Sequence, residues 1–171
     1  VRIFKLHEQI GMMYAGLLAD GYLVLEEAIR QTKSLEEAKN LDVEALAKKL
    51  ALFMQAFGQR KDVRPLGVSL ILAGIDSEDT PRLFLLEGCS GAYEYKACAI
   101  GIGEEESKGI LKGGYRDNLS LEEATALAVK AALREERKPE NVLLATIDLK
   151  TKRFREVTLS EKERMWKKIF S

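Results

Sequence analysis

An α+β fold built of antiparallel sheets between helical layers is predicted by this 171-residue sequence. Three observations carry the prediction. Two helical patterns follow one another early in the chain, and two more follow later. Between the pairs lie short apolar runs joined by turn residues rather than by helices. After the second pair come two further strand-like runs and a last helical pattern. Strict alternation of strand and helix would argue for a parallel sheet, whereas strands in groups and helices in pairs argue for separate layers. A four-layer αββα sandwich is the natural candidate.

Each element has its own signal. Val1 to Tyr14 alternates loosely, with Ile3, Leu6 and Ile10 among charged neighbours, and reads as one or two short strands. Ala15 to Lys33 carries Leu18, Leu23, Leu25 and Ile29 at roughly helical spacing, with Asp20 placed to cap the helix or favour its N-terminus electrostatically. From the cap candidate Asp42, the series Val43, Leu46, Ala47, Leu50, Phe53, Met54, Phe57 marks a second helix, with Gly58 just past its end. Gly67 to Asp76 is an apolar run bounded by turn residues and fits a buried strand. Ser77 to Pro81 supplies a turn, and Arg82 to Leu86 returns as the other arm of a hairpin. A further strand is expected over Tyr93 to Ile100, closed by Gly101-Ile102-Gly103. A short helix over about Glu104 to Lys112 then runs to a break at Gly113-Gly114. Ser120 with Glu123 forms a capping box ahead of a helix whose apolar face is Leu121, Ala124, Leu127, Ala128, Ala131 and Leu133. After Pro139, Val142 to Leu149 and Phe154 to Val157 read as strands joined by Lys150-Thr151-Lys152, and a final helix is expected to be capped by Ser160.

Composition narrows the function classes. Lys+Arg 27 balances Asp+Glu 27, so no net field draws the chain to nucleic acid or to an anionic membrane. Apolar runs such as Val68 to Ala73 stop far short of the ~20 residues of a bilayer span. Neither a composition shift nor a Pro/Gly/Ser-rich stretch marks a boundary, so residues 1–171 are read as one domain. Cys89 and Cys98 have neither metal-site spacing nor the density of a disulfide scaffold. A soluble, cytoplasmic protein is expected.

Particular stretches are less permissive than the element order. Ala15-Gly16-Leu17-Leu18-Ala19-Asp20, Val63-Arg64-Pro65-Leu66-Gly67-Val68-Ser69-Leu70 and Ala73-Gly74-Ile75-Asp76 together resemble proteasome subunits. Ser90-Gly91-Ala92-Tyr93, then Glu94 to Gly103, and Tyr115-Arg116-Asp117-Asn118-Leu119-Ser120-Leu121-Glu122-Glu123-Ala124 resemble the archaeal-like α-type rather than the β-type. The resemblance covers nearly the whole chain and rests on several motifs in order. There are two departures. The Ser90 to Glu94 turn is one residue shorter than the α-type pattern, with Cys89 where a Pro usually stands. An α-type chain also ordinarily carries several dozen residues before the segment equivalent to Val1: a gate tail, an N-terminal helix and the first strands of the sandwich. The fold implied is thus the N-terminal-nucleophile sandwich with its first strands absent, leaving one sheet short of central strands and backbone groups unpaired.

The resemblance implies a structural, non-catalytic α-type subunit of a proteasome core particle, serving ring assembly and protein degradation. Its partners would be other α-type subunits, β-type subunits and a regulatory ATPase. The residues agree, because an N-terminal-nucleophile protease needs a Thr at residue one, and Val1 offers no nucleophile. Glu135-Glu136-Arg137-Lys138-Pro139-Glu140-Asn141 likewise lacks the Arg-Asp and Ser pattern that supports that nucleophile in β-type chains. No catalytic, metal-binding or cofactor-binding residue is expected. His7, the single histidine, reads as a surface strand residue. Gly101-Ile102-Gly103 and Gly113-Gly114 lack nucleotide-fingerprint spacing and read as turns. Cys98 reads as a small core residue and Cys89 as the more reactive thiol. Glu104-Glu105-Glu106 and Glu135-Glu136 read as solvated helix ends, and Phe53, Met54 and Phe57 as core or subunit interface. One binding residue is implied by the resemblance. Arg2 falls where the family places a basic residue in the pocket for an activator's C-terminal carboxylate, which a guanidinium can bind bidentately. Two other classes stay open, an independent truncated α-like paralogue acting as an assembly or interaction protein, and an N-terminal-nucleophile hydrolase whose nucleophile lies outside this chain.

Overall fold

The apolar run centred on Leu70 to Ala73 forms the middle strand of a five-stranded antiparallel sheet. The computed structural model describes residues 3–39, 41–88, 91–133 and 138–170. In it β1 (Ile3–His7), β2 (Ile10–Gly16), β3 (Val68–Ile75), β4 (Pro81–Glu87) and β5 (Gly91–Glu94) lie side by side in that order. The register puts Met12 opposite Leu72, Tyr14 opposite Leu70 and Leu86, in turn, opposite Leu70. Alternate residues of all three strands therefore share one face. Two helices bury it: α1 (Leu18–Glu37), through Val24, Ala28 and Leu35, and α2 (Val43–Gly58), through Leu46, Ala47, Leu50 and Met54. Close approach of α1 depends on Gly21, because the Tyr14 ring occupies the space where a Cβ would stand.

Several expectations shift here. Helix α1 starts at Leu18 and runs on to Glu37, and its N-cap residue Leu17 makes no side-chain cap bond, so Asp20 is a first-turn residue rather than the cap. Of the four apolar residues that suggested the helix, only Leu25 is buried, while Leu18, Leu23 and Ile29 face outward. Asp42 caps α2 as expected, accepting a bond from Ala45 N at 2.7 Å, but Gly58 is the last helical residue rather than the one beyond it. Met54 is core, and Phe53 and Phe57 are half-buried with ring centroids 5.3 Å apart. The expected strand Tyr93 to Ile100 is shorter: β5 ends at Glu94, one further bond joins Tyr95 N to Leu83 O at 2.9 Å, and the chain then leaves the sheet. Continuing the register would set Ala97 opposite Pro81 at the next hydrogen-bonded rung, and proline has no N–H to donate there.

The second half is built around a small ribbon. Helices α3 (Glu104–Gly114) and α4 (Leu121–Ala132) are followed by a 3-10 turn over Pro139–Asn141, then β6 (Ala145–Asp148), β7 (Arg153–Glu156) and α5 (Leu159–Phe170). The capping box of Ser120 and Glu123 is present, with Ser120 N donating to Glu123 Oε2 at 2.8 Å and Glu123 N to Ser120 Oγ at 3.2 Å. The buried residues of α4 are Thr125, Val129 and Ala131, whereas Leu121, Ala124 and Ala128 are exposed, so the face is rotated from the expected one. Gly113 and Gly114 are not a break but the last turn of α3, where Leu127 of α4 fills the place of a Gly114 Cβ. At α5 the box belongs to Thr158: Thr158 N donates to Glu161 Oε2 at 2.9 Å and Glu161 N to Thr158 Oγ1 at 3.4 Å, with Ser160 inside the first turn. Both ribbon strands are shorter than the expected Val142 to Leu149 and Phe154 to Val157. Phe154 of β7 packs where a Cβ of Gly11 would stand, on the face of the five-stranded sheet away from α1 and α2.

Candidate functional site

Two of the stretches singled out in the sequence meet at one end of the large sheet. Gly16 ends β2 at φ +127, a conformation open to glycine, with Gly67 O and Val68 Cα against it. Leu17 N then donates to Gly67 O at 2.8 Å. One turn into α1, the buried Asp20 carboxylate takes Arg64 bidentately, Nη1 to Oδ2 at 2.6 Å and Nη2 to Oδ1 at 2.8 Å. It also accepts from Gly67 N at 2.6 Å. The Arg64 guanidinium and then the Gly67 amide hold the Asp20 carboxyl below its usual range. Asp20, Arg64 and Gly67 thus form a clamp that fixes where α1 leaves β2 and where β3 begins.

A second polar hub has no local sequence signature. Arg82 of β4 is paired with Glu94 of β5, with Glu44 of α2 at 2.8 Å and with Asp76 at the end of β3 at 3.4 Å, and its guanidinium lies 5.2 Å from the Phe84 ring centroid. Asp76 meanwhile accepts from Glu78 N and Thr80 N, forming the turn between β3 and β4. Carboxylates at positions 44, 76 and 94 have no common spacing, so only the fold reveals their convergence.

The residues weighed for chemistry do not come together. Arg2, Val1, Cys89, Ser90, Glu135 and Glu136 lie outside the described residues. His7 is the last residue of β1, just past its bulge, where Nδ1 accepts from Gln9 N at 3.3 Å and Nε2 is 3.7 Å from Glu36 Oε1. The Cys98 thiol is pushed up to about 11 by burial, which makes it a poor nucleophile near neutral pH. Gly101 and Gly103 both take positive φ, with Gly103 the N-cap residue of α3, and Glu104 and Glu105 pair with Lys108 in its first turns. Among the described residues no three of His, Cys, Asp and Glu are grouped to hold a metal ion, and no helix is long and apolar enough to cross a membrane.

Open space flanks the ribbon on both faces. Ala145, Ile147 and Phe154 line a groove of about 750 Å³ shared with Met13, Ile71 and Leu83 of the large sheet. Thr146, Arg155 and Val157 line one of about 400 Å³ shared with Leu121 and Thr125 of α4 and Met165 of α5.

The described residues form an α+β chain with two helices packed on one face of an antiparallel sheet and a clamp of Asp20, Arg64 and Gly67 at its end. The family follows from comparison with known proteins. The Proteasome subunit family model matches residues 1–147. The chain is 34% identical over 172 residues to the proteasome subunit alpha of Methanocaldococcus jannaschii, covering 98% of this chain and 66% of that protein. It is 32% identical to that of Methanopyrus kandleri, covering 98% and 69%, and 33% identical to that of Archaeoglobus fulgidus, covering 94% and 66%. This chain belongs to the proteasome subunit family, and it spans about two thirds of the length of these relatives.

Proposed function

We propose that the chain is a non-catalytic, structural α-type subunit of a proteasome core particle, working in protein degradation by building the ring that other subunits join. One observation carries the reading: the likeness to proteins named proteasome subunit alpha runs along 98% of this chain, at 34% identity in the Methanocaldococcus jannaschii case. The clamp of Asp20, Arg64 and Gly67 adds support, since it ties two of the resembling stretches to one structural task. Its partners in this reading are other α-type subunits and β-type subunits, in the cytoplasm. In the finer reading of the fold, α1 and α2, the large sheet, the ribbon sheet and α3 to α5 are the four layers of an N-terminal-nucleophile sandwich whose ribbon sheet lacks its first strands. Arg2 is proposed as the basic residue that receives the C-terminal carboxylate of a regulatory ATPase. Native mass of the full gene product with and without β-type chains tests the function, with a ring-sized particle expected and a persistent monomer that ignores β-type chains overturning it. Arg2→Ala is expected to abolish binding of carboxyl-terminal activator peptides, and unchanged binding removes that assignment.

A further inference from the structure

We propose that His7 is a pH-dependent clasp: its neutral ring closes the turn between β1 and β2, and its protonated ring releases that turn and pairs with Glu36 at the end of α1. The connection between the two strands is only Glu8 and Gln9, because the register sets His7 opposite Ile10. Hairpin loops of this length favour turn types in which the first or both central residues take positive φ. Neither Glu8 nor Gln9 does so. The turn is therefore not of the self-supporting kind, and bonds from outside the loop decide whether it stays closed.

Three bonds beyond the hairpin ladder reach its backbone. Glu8 O accepts from Phe154 N of β7 at 2.5 Å, Gln9 O accepts from Ile75 N of β3 at 3.0 Å, and Gln9 N donates to His7 Nδ1 at 3.3 Å. The last of these needs a lone pair on Nδ1, so the neutral ring carries its proton on Nε2. It is also the one bond of the three that a change from about pH 8 to about pH 5 can remove, because histidine changes charge in that range. Protonation turns Nδ1 into a donor facing another donor, and the Gln9 bond is lost.

Charge then draws the ring the other way. Nε2 lies 3.7 Å from Glu36 Oε1 in the last turn of α1, where the helix end also favours a cation. Among the described residues the Glu36 carboxylate has no other ionic partner. The remaining charges around the ring belong to the turn and to β7: Glu8 lies in the field of His7, but its carboxylate is hydrogen-bonded by Lys5 and also feels Arg153. The two states thus hold different elements. A neutral ring fixes the turn whose carbonyls anchor the ribbon and β3, whereas a charged ring holds the end of α1 and leaves those anchors on a looser turn. His7 is the single histidine of the chain, so acidification over this range acts on this corner and leaves the middle of the large sheet as it is.

Amide hydrogen exchange of the full gene product, corrected for the intrinsic effect of pH and read by mass spectrometry, tests this. Protection over residues 7–11 is expected to fall about fivefold from about pH 8 to about pH 5, the loss of one hydrogen bond, while residues 70–73 of β3 keep theirs. His7→Asn replaces the ring by an oxygen that accepts from the amide two residues on and does not titrate, and it is expected to keep residues 7–11 protected at both pH values. Glu36→Gln removes the partner of the charged ring and is expected to move the loss to lower pH without abolishing it. Equal losses in wild type and His7→Asn overturn the proposal, as does wild-type protection that stays constant across the range. A loss abolished by Glu36→Gln overturns it too, because the pair with Glu36 rather than the Gln9 bond would then govern the turn.

Discussion

The two sheets of this protein differ in how completely their own residues finish them. The five-stranded sheet has its helix-covered face filled by side chains that leave almost no surface exposed, among them Met12, Tyr14, Leu46, Leu50, Leu70, Leu72 and Leu86. The ribbon of β6 and β7 has four residues in each strand, all of β6 half-buried, with open grooves on both faces. A two-stranded ribbon is marginal by itself and draws its stability from what packs on it. The difference teaches where the sequence stores its stability: in the unit of β1 to β5 with α1 and α2, onto which the rest is attached.

Truncation in each region gives the sharpest contrast. Leu70→Ala removes a fully buried side chain from the middle strand and is expected to cost about 2–5 kcal/mol. Ile147→Ala, beside a groove and half-buried, is expected to cost about 1 kcal/mol or less, because the lost contacts are few. Urea denaturation of both variants checks this, and equal losses would mean that the ribbon is as firmly integrated as the sheet.

Next in size is the clamp. Asp20→Ala leaves Arg64 without its bidentate partner and the Gly67 amide without its acceptor, at a cost of about 1–3 kcal/mol. The carboxyl of Asp20 is held below its ordinary value, so its contribution is present above the unfolded value and is lost as pH falls through the lower folded one. Wild type should therefore lose stability on acidification more steeply than Asp20→Ala. Parallel pH profiles of the urea midpoint would break that account.

Much of the large sheet was legible because its signals are local. Asp42 and Ser120 announce helices through their own neighbours, and the turn chemistry of Ser77 to Pro81 sits between two apolar runs. What was not legible depends on distant partners. Asp20 reads as a cap or as a first-turn acid, and the structure keeps the second, but its clamp is hidden because its partners, Arg64 and Gly67, lie 44 and 47 residues away. On α4 the expected face survives in part, through Ala131 and through Leu127 against Gly114 of α3, while the burial of Thr125 and Val129 depends on neighbours that the local pattern does not name. The short β5 ends where the register reaches Pro81, which has no N–H for the next rung, a limit visible only once the register of β4 is known. The Arg82 hub stayed hidden for the same reason.

Smaller effects belong to the caps of the second half. Ser120→Ala removes the acceptor for Glu123 N and is expected to cost about 1 kcal/mol, seen as a modest fall in the urea midpoint. Ser120→Asp, which keeps a capping oxygen, should restore most of it. If Ser120→Ala leaves the midpoint unchanged, α4 is held by its contacts with α3 and α5 alone.

The smallest expected effect is at the start of α5. Glu161 is held at about 2 by the Thr158 backbone N–H, then by the Thr158 hydroxyl and by Arg155. A carboxyl depressed in the folded state contributes stability that is complete above its unfolded value near ~4.3 and declines as pH falls toward about 2. Because the side chains are exposed, solvent and salt weaken the Arg155 contribution, and the backbone bond from Thr158 is the part expected to persist. An NMR titration of the Glu161 carboxyl in Arg155→Ala should therefore still show a lowered midpoint, while Thr158→Ala, which removes the hydroxyl and loosens the turn, should raise it further. The reverse order would make Arg155 rather than the capping box the group that holds α5 against the ribbon.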